Sequence, residues 1–156
     1  MKAKNQDIAN AREEHQRENM QALSDAGKCL FCPDGLPFAE KQPIFRGEFW
    51  YVKPNDYPYE GAVTHVMAVP NRHIMNPEEL TQDELFELFQ VIIPWLRTEL
   101  EMEGLSCLFR FGNTKRTGAT IHHLHVHFIE GAERSSSSHP PIFAVVGFKT
   151  INSNNS

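Results

Sequence analysis

The chain has 156 residues, 40 % hydrophobic and 22 % charged, with a formal net charge of -5. That is enough for one domain with a core of its own, and the acidic balance argues against a nucleic-acid polymer as partner, because phosphate backbones select basic surfaces. No apolar run approaches the roughly 18 to 20 residues that span a bilayer. The polar start MKAKNQDIANAREEHQREN has no signal-peptide core, and three cysteines do not make a secreted disulfide framework, so a cytoplasmic protein is expected.

Residues 1–28 form a polar extension with scattered Ile8, Met20 and Leu23, read as helix or as a frayed segment. CLFCPDGLPF turns tightly at Pro33, Asp34 and Gly35. PIFRGEFWYVKP reads as one or two strands with a turn at Gly47, and NDYPYEGA as a loop. VTHVMAVP alternates, with Val63, His65, Met67 and Val69 on one face, and ends at Pro70.

The next segment predicts one long helix. Asn76 with Pro77 and Glu79, and Thr81 with Glu84, both fit a capping box. Leu85, Phe86, Leu88, Phe89, Ile92, Ile93, Leu96 and Leu100 recur at helical spacing and are expected to face the core. Pro94 is expected to kink or split the helix, and Gly104 to close it. LSCLFRFGN reads as a strand with Cys107 buried, TKRTG as a turn, ERSSSSHPP as a loop, and IFAVVGFKT as a final strand. The expected architecture is α+β: an antiparallel sheet of about five strands in meander order, with one long helix and an extra N-terminal helical segment. The expected domain covers residues 29–150, with a disordered tail at 151–156.

The segment IHHLHVHF holds four of the chain's eight histidines. Read with a period of two, His123, His125 and His127 point one way and Leu124, Val126 and Phe128 the other. His122 falls with the apolar set and reads as structural. Three imidazoles on one strand face have three readings. They are structural, or they hold a metal, or they act on a phosphate, where one imidazole attacks phosphorus and its neighbours bind oxygens or protonate a leaving group. Alternate residues lie about 7 Å apart, so a metal takes two of them readily and the third only with help. THVMAVPNRHI adds His65 and His73 on a segment that can pair beside this strand.

Cys29 and Cys32 also have three readings. A redox pair normally opens a helix, whereas here a Pro-Asp-Gly turn follows. The alternatives are two unrelated thiols, or half of a structural Zn²⁺ site that needs two more ligands.

HLHVHFI, residues 123–129, resembles the His-φ-His-φ-His-φ-φ signature of the histidine triad superfamily, where φ is apolar. CLFC is similar to the Cys-x-x-Cys of its zinc-containing members, and NDYPYEGAVTHVMAVPNRHI to their Asn, Pro-Tyr and H-x-x-x-x-P-x-x-H block. The capped helix and FGNTKRTGAT follow in the family's order, so the resemblance covers residues 29 to 129. It implies a histidine triad nucleotide hydrolase or nucleotidyl transferase. The bond cleaved would be at the α-phosphate of a nucleotide, nucleoside phosphoramidate or dinucleoside polyphosphate. His125 would be the nucleophile and form a nucleotidyl-histidine. His127 would bind a non-bridging oxygen, His65 would stand near the leaving group, and Thr120 would bond a phosphate oxygen.

The resemblance further implies that Asn113 contacts the leaving-group side, given a one-residue gap, and that Asn55 meets the ribose. Phe31, Phe38 and Ile44 are candidates for the base pocket or plain core. Cys29, Cys32, His73 and His123 would hold structural Zn²⁺, with no organic cofactor, and a homodimer is implied. The family's Gly-Gln is Gly118-Ala119 here, so one positioning amide is missing. The alternative function is a catalytically weak, nucleotide-binding regulatory module of the same fold.

Overall fold

The computed structural model describes residues 5–151. Five strands, β1 (Phe45–Arg46), β2 (Trp50–Pro54), β3 (Ala62–Pro70), β4 (Ser106–Phe109) and β5 (Val126–Gly131), form one antiparallel sheet. Helix α1 spans Glu14–Asp25, and the long helix runs through α2 (Gln82–Phe86), a π-helical stretch (Glu87–Ile92) and α3 (Ile93–Glu99). A last short helix, α4, covers Thr114–Thr117. No helix of the described residues is long and apolar enough to cross a membrane.

The strand order is β1-β2-β3-β5-β4, not the expected meander. β5 inserts between β3 and β4, so Met67 stands opposite His127 and Leu108 stands opposite it on the other side. Because side chains alternate, this register assigns every strand residue to one of two faces. Trp50, Val52, Val66, Ala68, Val126 and Phe128 face the long helix and pack on Leu88, Ile92, Leu96 and Met102. Full burial of each large side chain in that layer contributes about 1.5–3 kcal/mol. Tyr51, Met67 and Val69 face the other way, against Ala11, Met20, Phe31, Leu36 and Ile121. Covered on both sides, β2 lacks the alternating burial of a half-exposed strand.

The helix departs from expectation in four ways. Its first capping box closes a separate turn at Pro77–Glu79, and the second, at Thr81, starts α2. Leu88, Ile92 and Leu96 make the buried stripe, whereas Leu85, Phe86 and Phe89 are exposed, so the buried face is narrower than the apolar spacing implies. Pro94 does not break the helix. The π-helical turns before it remove the need for the amide hydrogen that proline lacks. The helix also ends before Gly104, where Glu101 takes a φ of 53°. At the other end, Arg72 forks onto the Glu84 carboxylate at 2.6 and 2.8 Å, holding its pKa down to about 2 and tying the helix start to the end of β3.

Residues outside the sheet cover its histidine face. Asp7 N–H donates to the Thr120 carbonyl at 2.8 Å, His122 N–H to Asn5, and the Asn10 amide to Ala119, so the N-terminal segment is tied along residues 119–122. The expected strand at IFAVVGFKT is not one. Residues 142–150 run irregularly past the same face, where the Arg110 guanidinium holds the Val145 carbonyl at 3.0 Å. Cys107 is exposed, because β4 is the sheet edge. Except for Ile151, the tail expected at 151–156 lies outside the described residues.

Candidate active site

The regular strand β5 begins only at Val126, so the first half of the histidine segment, which bends at His122 and His123, lies off the ladder. Its alternation survives. His123, His125 and His127 are buried on one face, and Val126 and Phe128 lie in the helix-side core. The off-ladder backbone has a chemical consequence. Its free carbonyl at His123 accepts the Nδ1–H of His125 at 2.7 Å. The tautomer of His125 is thereby fixed, with the lone pair on Nε2. Burial lowers its pKa to about 4, so the ring is neutral at physiological pH.

β3 brings His65 beside β5. Tyr59 N–H donates to His65 Nδ1 at 3.1 Å, and His65 Nε2 lies 2.9 Å from His127 Nδ1. Asn55 Nδ2 is 3.0 Å from the same His65 nitrogen. Burial, then the charges of Arg12 and Arg110, lowers His65 to about 4, and burial, then His125 and Arg110, lowers His127 well below the usual imidazole value. His125 and His127 have ring centroids 4.9 Å apart, and Phe31 meets His125 edge-on at 5.2 Å.

His125 and His127 open into a cavity of about 310 Å³ between this face, α1 and the C-terminal segment. Thr120, Phe31, Phe38 and Asn55 also line it. Ile44 and Asn113 do not. Ile44 is half-exposed beside β1, and Asn113 caps α4, its side chain accepting from Lys115 N–H. His122 turns away to Thr114 at 3.3 Å. Sequence reasoning missed three basic residues here. Lys53 is fully buried on the histidine face and paired with Asp56 at 2.8 Å. Arg110 Nη2 lies 3.0 Å from His127 Nε2, and Arg12 stacks over Tyr59 at 4.9 Å. Arg110 shares the face of Leu108 two residues earlier, a period-two signal that the register of β4 on β5 makes readable.

Cys29, Cys32, His73 and His123 come together at the other end of the histidine segment, their ligand atoms within 4.8 Å of one another. The sulfur–nitrogen separations are 3.3, 3.6 and 3.7 Å. A tetrahedral ion with two sulfur and two nitrogen ligands requires about 3.6 Å. His123 Nε2–H donates to the Pro70 carbonyl at 2.9 Å, which leaves Nδ1 as a ligand and supplies the outer contact such histidines use. Burial pushes the Cys29 thiol up to about 12, so a thiolate there calls for a cation beside it. Gly35 closes this knuckle because a Cβ would come within 1.9 Å of the Cys29 carbonyl. The four residues fit a tetrahedral metal centre.

No family model and no curated protein matches the sequence. Solved structures do resemble it. One, titled a hypothetical histidine triad nucleotide-binding protein from Sulfolobus tokodaii, is 25% identical, covering 78% of this chain and 81% of its own, with a TM-score of 0.55. A histidine triad protein from Clostridium difficile is 18% identical, over 69% of this chain and 94% of its own, at 0.53. A HIT family hydrolase from Clostridium thermocellum is 21% identical, over 72% and 96%, at 0.52. The chain has the fold of the histidine triad proteins.

Proposed function

We propose that this chain is a nucleotide hydrolase or nucleotidyl transferase acting at an α-phosphate. The observation that carries the reading is the 2.7 Å contact from His125 Nδ1 to the His123 carbonyl, which leaves the lone pair on Nε2 of a ring that lines the cavity. His125 Nε2 attacks the α-phosphorus, the bond to the leaving group breaks with its electron pair, and a nucleotidyl-histidine forms. His65, near the leaving group, and His127, on a non-bridging oxygen, stabilise the transferred charge, and the Thr120 hydroxyl donates to a second oxygen. Water, or another acceptor, then attacks the same phosphorus, losing its proton and returning the electron pair to His125. Asn55 and Phe31 shape the nucleoside end. A phosphoester, phosphoramidate or dinucleoside polyphosphate all fit this first step.

We assign the metal centre to structural Zn²⁺, held by Cys29, Cys32, His73 and His123. When bound it cross-links the Cys knuckle to the histidine segment, and it has no part in the chemistry. Thiolate ligands of this kind suit a reducing cytoplasm. A homodimer is proposed as well, supported by the open edge of β4 and the exposed Phe86 and Phe89.

The test is substitution of the nucleophile. A folded His125→Asn protein should lose turnover while holding nucleotide within about tenfold of wild type. Undiminished turnover would instead require another nucleophile. Binding without turnover in the wild type would favour the regulatory-module reading.

A further inference from the structure

The cavity carries more donors and more positive charge than the triad chemistry uses. His65 Nδ1 accepts from Tyr59 N–H, so its hydrogen is on Nε2, which points at His127 Nδ1. Neutral His127 then carries its hydrogen on Nε2, and that atom faces Arg110 Nη2 at 3.0 Å. A guanidinium can only donate, so two donors confront each other. Asn55 Nδ2 adds a third donor beside His65. Two further polar atoms, Arg110 Nε and Tyr59 Oη, are buried without a hydrogen-bond partner in the protein. A set of donors aimed at one place is satisfied by an acceptor with several oxygens.

Charge gives the same answer. Among the described residues, neither Arg12 nor Arg110 belongs to an ion pair. The acids that line the cavity are otherwise engaged. Asp56 is held by Lys53 and by the Lys41 amide, and Glu40 accepts the Tyr57 hydroxyl and faces His15. Two guanidiniums without a carboxylate partner at one cavity, Arg110 half-buried and Arg12 exposed, favour a ligand with at least two negative charges. Arg12 comes from the N-terminal segment, held over Tyr59 by the Tyr57 carbonyl, while Arg110 comes from the end of β4.

We propose that Arg12 and Arg110 form a two-guanidinium clamp that selects nucleotides carrying a phosphate beyond the α-phosphate. Arg110 and His127 share a non-bridging α-phosphate oxygen, and Arg12, one ring farther out beyond Tyr59, takes the next phosphate. The position of the α-phosphate rests on the reading above; the clamp itself rests on the unpaired donors and charges.

The experiment compares equilibrium binding of AMP with that of α,β-methylene-ADP, which cannot be cleaved at the α–β bridge, and of their guanosine counterparts. Wild type should bind the diphosphate analogue at least about tenfold tighter than the monophosphate. Arg12→Met should shrink that ratio to about threefold or less, Arg12→Lys should restore much of it, and Arg110→Met should weaken both ligands. A wild-type ratio near one would overturn the clamp whether or not the variants fold, as would an unchanged ratio in folded Arg12→Met. Nucleotidyl transfer to His125 is followed in the same protein. Transfer without the ratio removes the clamp alone, whereas the ratio without transfer keeps the clamp and removes the chemistry proposed above.

Discussion

His125 donates its Nδ1 hydrogen to the carbonyl of His123, two residues earlier, at 2.7 Å. One backbone contact thus fixes the tautomer of the proposed nucleophile, and the residue supplying it is itself a proposed metal ligand, itself anchored to the Pro70 carbonyl. The proposed metal site and the proposed nucleophile are consecutive links on one segment. A loss at the knuckle is therefore expected to loosen the ring as well.

Thr120 lines the cavity, and its backbone carbonyl is held by Asp7 N–H. If its hydroxyl meets a phosphate oxygen, Thr120→Val should cost about 1 to 3 kcal/mol of transition-state stabilisation with the fold intact. Steady-state kcat/KM gives the number. An unchanged value would leave Thr120 with a backbone role only.

Metal analysis of purified protein should find about one zinc ion per chain, and a strong chelator should lower the melting temperature. Cys29→Ser should lose the metal and destabilise the fold by more than about 3 kcal/mol, since it leaves a buried, half-built site. Metal-free wild type with an unaltered melting curve would show that the four residues are simply packed together.

His65 is buried with a pKa lowered from 6.5 to about 4, chiefly by desolvation and then by Arg12 and Arg110. Between these values the unfolded chain binds a proton that the folded one refuses. The contribution of neutral His65 is complete above pH 6.5 and is lost as pH falls toward 4. Through that window, wild-type stability should fall more steeply than that of His65→Gln, by up to about 1.4 kcal/mol per pH unit. Parallel slopes in urea titrations at pH 6.5, 5.5 and 4.5 would mean that His65 titrates normally.

Gly118 ends α4 at a φ of 71°, and a Cβ there would lie 2.9 Å from Val145 Cγ1. Gly118→Ala should cost on the order of 1 to 2 kcal/mol and disturb the C-terminal segment where it passes the cavity. Faster proteolysis near residue 145 is the expected sign, and an unaltered digestion pattern would mean that Val145 yields without cost.

What could be read from the sequence was whatever local period or spacing carries. The alternation of His123, His125 and His127, the two capping boxes, and the Gly47 turn all depend on residues a few positions apart. The assembly of Cys29, Cys32, His73 and His123 spans nearly a hundred positions and came only through family resemblance. Strand order was not legible, because insertion of β5 between β3 and β4 is decided by long-range pairing. That one fact also hid Arg110, whose place beside His127 follows from the β4–β5 register, and it explains exposed Cys107 on the sheet edge. Arg12 was hidden for a different reason. A polar leading segment gives no local sign that it folds across a cavity lined by residues as distant as Asn55 and His127. The apolar run at 142–148 suggested a strand, yet no edge receives it, and its backbone serves Arg110 instead.

The most direct test of the central claim is mass spectrometry of the wild-type protein after rapid acid-free quenching with adenylated and guanylated substrates. The account predicts a mass increase of one nucleoside monophosphate, mapped to His125 and absent from His125→Asn. An adduct on another residue, or none in protein that turns the substrate over, would contradict it.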